Sequence, residues 1–300
     1  MFLIRSRKDI AKTAASEEVL REQREIKTER LLNSKGMFVG LGIFALIAIC
    51  AFVIPAVTGV DPDATAAIDR LKAPSAAHIF GTDEFGRDLL TRVCHGAQSS
   101  LWVGLCVAGF SCIAGAIIGI LAAYYKWLDQ ILMRICDGLI AIPGIMLAVA
   151  FMAAFGTTSW NVIWALTIVY VPSVARMVRA SALVAKEQMY VEAARVHGAS
   201  NAWILVKHIL PNVISPMIVQ ATFIFAQAII SEASLSFLGA GIPAPAASWG
   251  NILEASKAVL SKAPWTALIP GTVVVVCVLS LNLFGDGLRD YLDPKTSRKN

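Results

Sequence analysis

The chain has 300 residues, of which 57% are hydrophobic and only 16% charged, with a mean hydropathy of +0.66. A water-soluble domain carries about a quarter charged residues, so this composition excludes a soluble enzyme with a large core and defines an integral membrane protein. The net charge of +5 is too small to argue for nucleic acid, and in a membrane chain basic residues report topology first.

Residues 1–36 are polar, and Met1–Ile4 is too short for a signal-peptide core. Ser16 to Asn33 is rich in helix formers, with Ser16 as a cap and Val19, Ile26 and Leu31 as a thin apolar stripe. This arm reads as a solvated cytosolic helix. A first span is predicted over about Met37–Val57, since roughly 20 apolar residues cross a bilayer. Its GLGIFA (Gly40 to Ala45) touches a dinucleotide-binding pattern, but no strand precedes it.

Residues 58–98 are polar and contain GTDEFGRD, from Gly81 to Asp88. This is a near miss to the phosphate loop GxxxxGK[ST]. Arg87 replaces the lysine, and Asp88 replaces the magnesium-binding hydroxyl with a charge that repels phosphate. Any ATP must therefore bind another subunit.

Further spans are predicted over about Ser99–Tyr125, Ile135–Phe155, Trp160–Met177, Val213–Leu238 and Trp265–Phe284. Gly115-x3-Gly119 lets the second span pack closely in lipid. Pro143-Gly144 predicts a kink in the third. The fourth continues as a polar helix to Lys186. Between the fourth and fifth lies YVEAARVHGASNAWILVKHILPN, from Tyr190 to Asn212. It reads as a short helix (Val191 to Val196), a break at Gly198, a second helix (Asn201 to Leu210) capped by Asn201, and a stop at Pro211.

Six spans put both termini on one side. With the termini inside, the inner segments hold twenty of the 26 basic residues and the outer segments six. The positive-inside rule then places the hairpin in the cytosol, and GTDEFGRD and the 239–264 loop outside. The expected divisions are an arm at 1–36, a first span with its outer segment at 37–98, a membrane domain at 99–288 with the hairpin loop at 186–212, and a tail at 289–300.

Candidate chemistry is sparse. Glu232 is the carboxylate that lies well inside an apolar run, and an intramembrane ionisable residue is a functional candidate by default. Ser231, Ser234 and Ser236 could hydrogen-bond it. It either lines a polar solute path or is hydrated near the outer interface. Arg176 and Arg179 share a helix face and can snorkel to cytosolic water; Asp137 and Asp286 read as helix-end partners. Trp249, in the Gly- and Pro-rich outer loop, reads as an interfacial anchor or as a gate or docking surface. The six cysteines form no CxxC pair and the four histidines show no metal spacing. Neither GxSxG nor any other nucleophile-and-base pattern converges, which argues against an intramembrane enzyme.

In the hairpin, Glu192-Ala193-Ala194, Gly198 and Leu210-Pro211 stand at the spacing EAA-x3-G-x9-I-x-L-P, with His208 at the isoleucine position. This resembles the permeases of ATP-binding-cassette importers. GTDEFGRDLLTRV, LMRICDGLIAIPGIMLA, SLSFLGAGIPAP with SWG, and NLFGDGLRDYLDP narrow the resemblance to the C-type permease of the dipeptide/oligopeptide/nickel group, over roughly residues 37–294. The resemblance implies an all-α polytopic fold of the type I importer class in the bacterial inner membrane. It implies a sister permease, two cytosolic ATP-binding subunits that hold the ATP and magnesium, and an extracytoplasmic solute-binding protein. It implies that Glu192, Ala193, Ala194, Gly198, Leu210 and Pro211 couple to an ATPase subunit, and that Gly81, Thr82, Asp83, Gly86, Arg87 and Asp88 form an extracytoplasmic family motif. No metal or other cofactor is expected on this chain, and di- or oligopeptides are the expected solutes. The competing expectation is a secondary transporter driven by an ion gradient through Glu232, which predicts paired broken helices around a midplane site.

Overall fold

Long apolar runs with few charges can satisfy their backbone groups in lipid only as helices, and the chain folds accordingly. The computed structural model describes residues 35–292; the helix expected between Ser16 and Asn33 lies outside the described residues. Among the described residues the helices are α1 (Lys35–Thr58), α2 (Leu89–Tyr124), α3 (Lys126–Ala141), α4 (Gly144–Phe155), α5 (Ser159–Lys186), α6 (Met189–Val196), α7 (Asn201–Ile204), α8 (Leu210–Phe237), α9 (Trp249–Ser256) and α10 (Trp265–Leu292). A π turn over Leu205–Ile209 joins α7 to α8. Five of the resulting rods are long and apolar enough to cross a membrane, and the number rises to six when the α3–α4 pair, bent by 93°, is counted as one span.

The helix α2 is the spine of the bundle. Small residues along it bring neighbouring backbones close, the contact that holds helices together where lipid removes most of the hydrophobic drive. A Cβ on Gly115 would sit 2.5 Å from the Val174 Cβ, and one on Gly119 2.5 Å from the Ala175 carbonyl oxygen. The predicted Gly115-x3-Gly119 contact therefore faces α5. Val107, Val162, Leu166, Val174, Val178 and Ile224 fill the core between α2, α5 and α8. A second core, with Leu89, Val93, Ile229, Trp249 and Leu281, joins α2 and α8 to α1, α9 and α10. The helix α1 leans on α10, where Gly40 meets the Ser280 carbonyl and Met37 meets Gly287. Gly40 of GLGIFA thus serves helix packing, whereas a Cβ on Gly42 would meet nothing within 4 Å.

Three boundaries depart from expectation. The helix of the sixth span runs to Leu292, eight residues beyond the predicted end at Phe284. The second span begins at Leu89, ten residues before the apolar run. Asp88 caps it by accepting from the Thr91 N–H at 2.9 Å, and its polar first turns are paired off in three dimensions. The third span is broken rather than kinked, with α3 and α4 meeting at 93°. Pro143 has no N–H to continue a helix and pushes Ile142 into an extended conformation (φ −92°, ψ 129°). Gly144 then lets α4 approach Val169 of α5, where a Cβ would lie 2.7 Å from Cγ1. The amphipathic α3 is tied to α5 by a bidentate pair, Arg179 donating to Asp129 at 2.5 and 2.6 Å. Arg176 donates to Asp137 at 2.9 Å. These arginines are ion-paired, not simply snorkelling.

Candidate functional site

The two ends of the bundle are built differently. At the hairpin end, α6 stops in a complete Schellman motif. The Ala199 N–H bonds the Ala194 carbonyl at 3.0 Å and the Gly198 N–H bonds the Arg195 carbonyl at 2.9 Å. Gly198 carries the left-handed φ of +81° that this closure demands, and a Cβ there would meet nothing within 4 Å. Backbone conformation alone therefore selects glycine. Val191, Ile204 and Ile209 are fully buried beneath the hairpin and fix it to the main core.

Two details of the hairpin correct the sequence reading. The cap of α7 is Ser200, whose hydroxyl accepts from the Trp203 N–H at 3.3 Å; Asn201 is already helical, and its side chain accepts from the Tyr124 hydroxyl. Pro211 does not stop the chain. It sits in the first turn of α8, where its missing N–H is tolerated. The π turn just before it bonds the Leu210 N–H to the Leu205 carbonyl. That wider ladder lets Asn201–Phe237 run as one spanning rod of 37 residues. The hairpin is thus continuous with α8. Its other side is braced by Tyr124, whose ring lies 5.2 Å from Lys186 Nζ and 5.9 Å from the Arg195 guanidinium.

The residues expected to couple to a partner lie on this element. Glu192, Ala193, Gly198 and Pro211 are exposed, while Ala194 and Leu210 are half-buried. Glu192 stands in the first turn of α6, where a carboxylate favours the helix dipole, and it has no hydrogen-bond or ion-pair partner among the described residues. Around it, Met189, Tyr190, Val196, Trp203 and Val206 are exposed apolar side chains, with the Trp203 and His208 rings 4.8 Å apart.

At the other end, the cap end, charges are consumed internally. Asp83 accepts from the Phe85 and Arg87 N–H groups at 2.8 and 2.9 Å and from Arg87 Nε at 2.6 Å. Asp88 caps α2 and meets His78 at 3.1 Å. Gly86 has φ +76° and sits so tightly that a Cβ would be 1.9 Å from the Ala66 carbonyl oxygen; Gly81 (φ +77°) is closed in by the Lys72 carbonyl. Thr82 is buried, its hydroxyl donating to the Asp69 carbonyl. The Phe85 and Arg87 N–H groups, which a phosphate cradle would leave free, are filled by the loop's own Asp83 carboxylate. Arg92, expected outside the helix, lies within α2 and donates to Asp63 at 2.7 Å.

Glu232 is fully buried. It accepts from Ser100 of α2 at 2.7 Å and from Ser236 at 2.8 Å. Of the three expected neighbours, Ser236 alone bonds it. Ser231 pairs with the Tyr170 hydroxyl at 2.8 Å, and Ser234 donates to the Ile230 carbonyl. Ser100 was not legible as a partner, being 132 residues away. Trp249 is neither at an interface nor in a gate. Its side chain is fully buried, and Nε1 donates to the Val93 carbonyl at 3.1 Å.

The bundle thus spans a membrane, with a buried carboxylate and a self-bonded loop toward one end and an anchored hairpin with an unpartnered glutamate at the other. The chain belongs to the family of binding-protein-dependent transport system inner membrane components, whose model matches residues 115–298. A Brucella suis biovar 1 permease, assigned by name to a peptide transport system, is 48% identical over 270 residues, 90% of this chain and 91% of that one. The dipeptide transport system permease of Alkalihalophilus pseudofirmus is 42% identical over 268 residues (89% and 88%). The glutathione transport system permease of Pectobacterium atrosepticum is 40% identical over 274 residues (91% of each chain). The inward-facing MetNI methionine transporter superimposes with a TM-score of 0.54 at 22% identity, over 68% of this chain and 96% of that one. That likeness concerns the fold, which is that of type I importer permeases. The chain is a multi-pass inner-membrane permease. Its family membership displaces the ion-gradient reading of Glu232.

Proposed function

We propose that this permease forms the translocation path for di- or oligopeptides together with a sister permease, and that two cytosolic ATP-binding subunits drive it. In this reading a solute-binding protein delivers the peptide to the cap end. ATP and magnesium sit on the partner subunits, and this chain does no bond chemistry. The termini and the hairpin face the cytosol, in line with the excess of basic residues there. The observation that carries the reading is the hairpin itself. Glu192-Ala193-Ala194 and Gly198 are held by a Schellman closure at the surface, on a rod continuous with a spanning helix. Such a rod transmits a rigid-body displacement from a docked ATPase into the path without loss in a flexible joint. The names of the similar permeases support peptides as solutes.

The test is reconstitution in proteoliposomes with the partner subunits and the binding protein. ATP-dependent accumulation of labelled dialanine, absent with a non-hydrolysable analogue, is expected. Accumulation that follows an imposed proton gradient without ATP would overturn the reading.

A further inference from the structure

At the cap end, the GTDEFGRD loop, the turn from Gly239 to Ala244 and α9 leave a cleft of about 290 Å³ between them. Small-molecule sites start at roughly this size. The cleft is too small for a folded domain and suits a solute of two or three residues.

The groups on its walls differ in how far they are already committed. Arg92 lines the cleft but is 6% exposed, and Asp63 and the Pro62 carbonyl hold it. Asn251 also lines it, and its amide is spent on the Ala246 carbonyl and the Ser248 N–H. Arg87 is only half committed. Its Nε is fixed to Asp83 at 2.6 Å, and its guanidinium lies 4.6 Å over the Phe85 ring. Neither of its Nη groups has a hydrogen-bond partner among the described residues. Glu84 and Glu254 line the same cleft, and neither carboxylate has a hydrogen-bond or ion-pair partner among the described residues. One oriented guanidinium edge and two free carboxylates therefore share one cavity, while Asp63, Asp69, Asp83 and Asp88 at this end are each paired with a basic side chain of this chain.

The floor is rigid. Ser236 lines the cleft, and its hydroxyl is held between the buried Glu232 carboxylate at 2.8 Å and the Ile242 N–H at 3.1 Å. Gly241 presses against it so closely that a Cβ would lie 2.1 Å from the Ser236 hydroxyl oxygen. Glu232 thus fixes from below the turn that forms one wall.

We propose that this cleft is a recognition subsite for a small zwitterion. The Nη edge of Arg87 takes a carboxylate, as a guanidinium fork does, and Glu84 with Glu254 takes an ammonium. Resting on the peptide-importer reading, this assigns the cleft to the two charged ends of a short peptide at the mouth of the permease.

The test uses the whole transporter complex in nanodiscs without the binding protein, wild type and the E84Q/E254Q double variant. Both substitutions are isosteric at unpartnered side chains and leave the fold intact. Binding of dialanine and of N-acetyl-dialanine is measured by saturation-transfer NMR. Acetylation is expected to weaken binding to the wild type about tenfold, the loss of a charge-assisted contact, and to make no further difference in the double variant. R87K is expected to weaken both ligands together, since a lysine cannot present the fork. Equal binding of dialanine to wild type and double variant would overturn the proposal. So would a double variant that binds dialanine normally but loses affinity for the binding protein, which would make the cleft a protein-docking surface. Uptake by the wild type is measured in parallel: a complex that moves no peptide refutes the importer reading, whereas peptide uptake with no acetylation effect refutes the subsite alone.

Discussion

Three carboxylates at the cap end of this permease and one on the hairpin have opposite fates, while Glu84 and Glu254 in the cap-end cleft share the open state of the hairpin's. At the cap end Asp83, Asp88 and Glu232 are each surrounded by donors from the chain itself. At the hairpin end Glu192 is exposed and unpartnered among the described residues. A buried carboxylate without donors is expensive, so the filled ones are architecture: they hold a loop, a helix start and a turn in fixed positions. The unfilled one costs nothing in water and remains available to another subunit. The same contrast separates Gly86, where both a positive φ and the Ala66 carbonyl exclude a side chain, from Gly198, where only the φ does.

The sharpest way to break the comparison is to remove a filled acceptor. Asp83→Ala leaves two N–H groups and the Arg87 Nε without their acceptor and is expected to cost about 4 kcal/mol. Thermal unfolding in detergent should show it, with Asp83→Asn recovering part. Gly198→Val comes next. A β-branched residue at φ +81° is expected to cost about 2 kcal/mol in the hairpin alone. Membrane levels should stay normal while ATP-driven uptake falls at least about tenfold, as a loss of 1.4 kcal/mol or more in coupling requires. Full uptake in that variant would falsify the coupling assignment.

Glu232→Gln has a smaller expected effect, about 1 kcal/mol, because an amide oxygen still accepts from one of the two serine hydroxyls. Dialanine uptake should be nearly unchanged across pH. A strong change in its pH profile would return Glu232 to the solute path. The smallest effect belongs to the exposed pair at the cap end. Lys72, bonding Asp69, holds that carboxyl below its usual value. A lowered folded pKa contributes stability that is present above the unfolded value and is lost as pH falls through the folded one. Lys72→Met should therefore leave the unfolding midpoint at neutral pH almost unmoved, as exposed pairs do, and alter only the acid limb.

The spans and the hairpin were legible because lipid allows one solution to an apolar run, and because the EAA, glycine and LP spacing is local. Features set by distant contacts were not. Ser100 meets Glu232 across 132 positions, and nothing in either neighbourhood announces the other. The polar start of α2 resembled a loop because its charges are cancelled by Asp63 and Asp83, which precede it. Trp249 looked interfacial because its sequence neighbours are turn formers, yet two helices bury it. Pro211 looked like a stop, since a π turn that absorbs a proline leaves no composition signal. The 93° break between α3 and α4 shared its Pro-Gly signature with a mild kink, and the packing of Gly144 against Val169, 25 positions on, has no local signal.

In the proposed importer the hairpin end is where the ATP-binding subunit docks. The most direct test of that docking is cross-linking in the assembled transporter, with the six native cysteines replaced. Ala193→Cys, exposed beside Glu192 on the hairpin, is compared with Ile68→Cys, 91% exposed at the cap end. A short bifunctional thiol reagent should join Ala193→Cys to the ATP-binding subunit and leave Ile68→Cys free of it. An ATPase adduct from the cap end, or none from Ala193→Cys in an active complex, would show that the ATP-binding subunit does not dock on the hairpin.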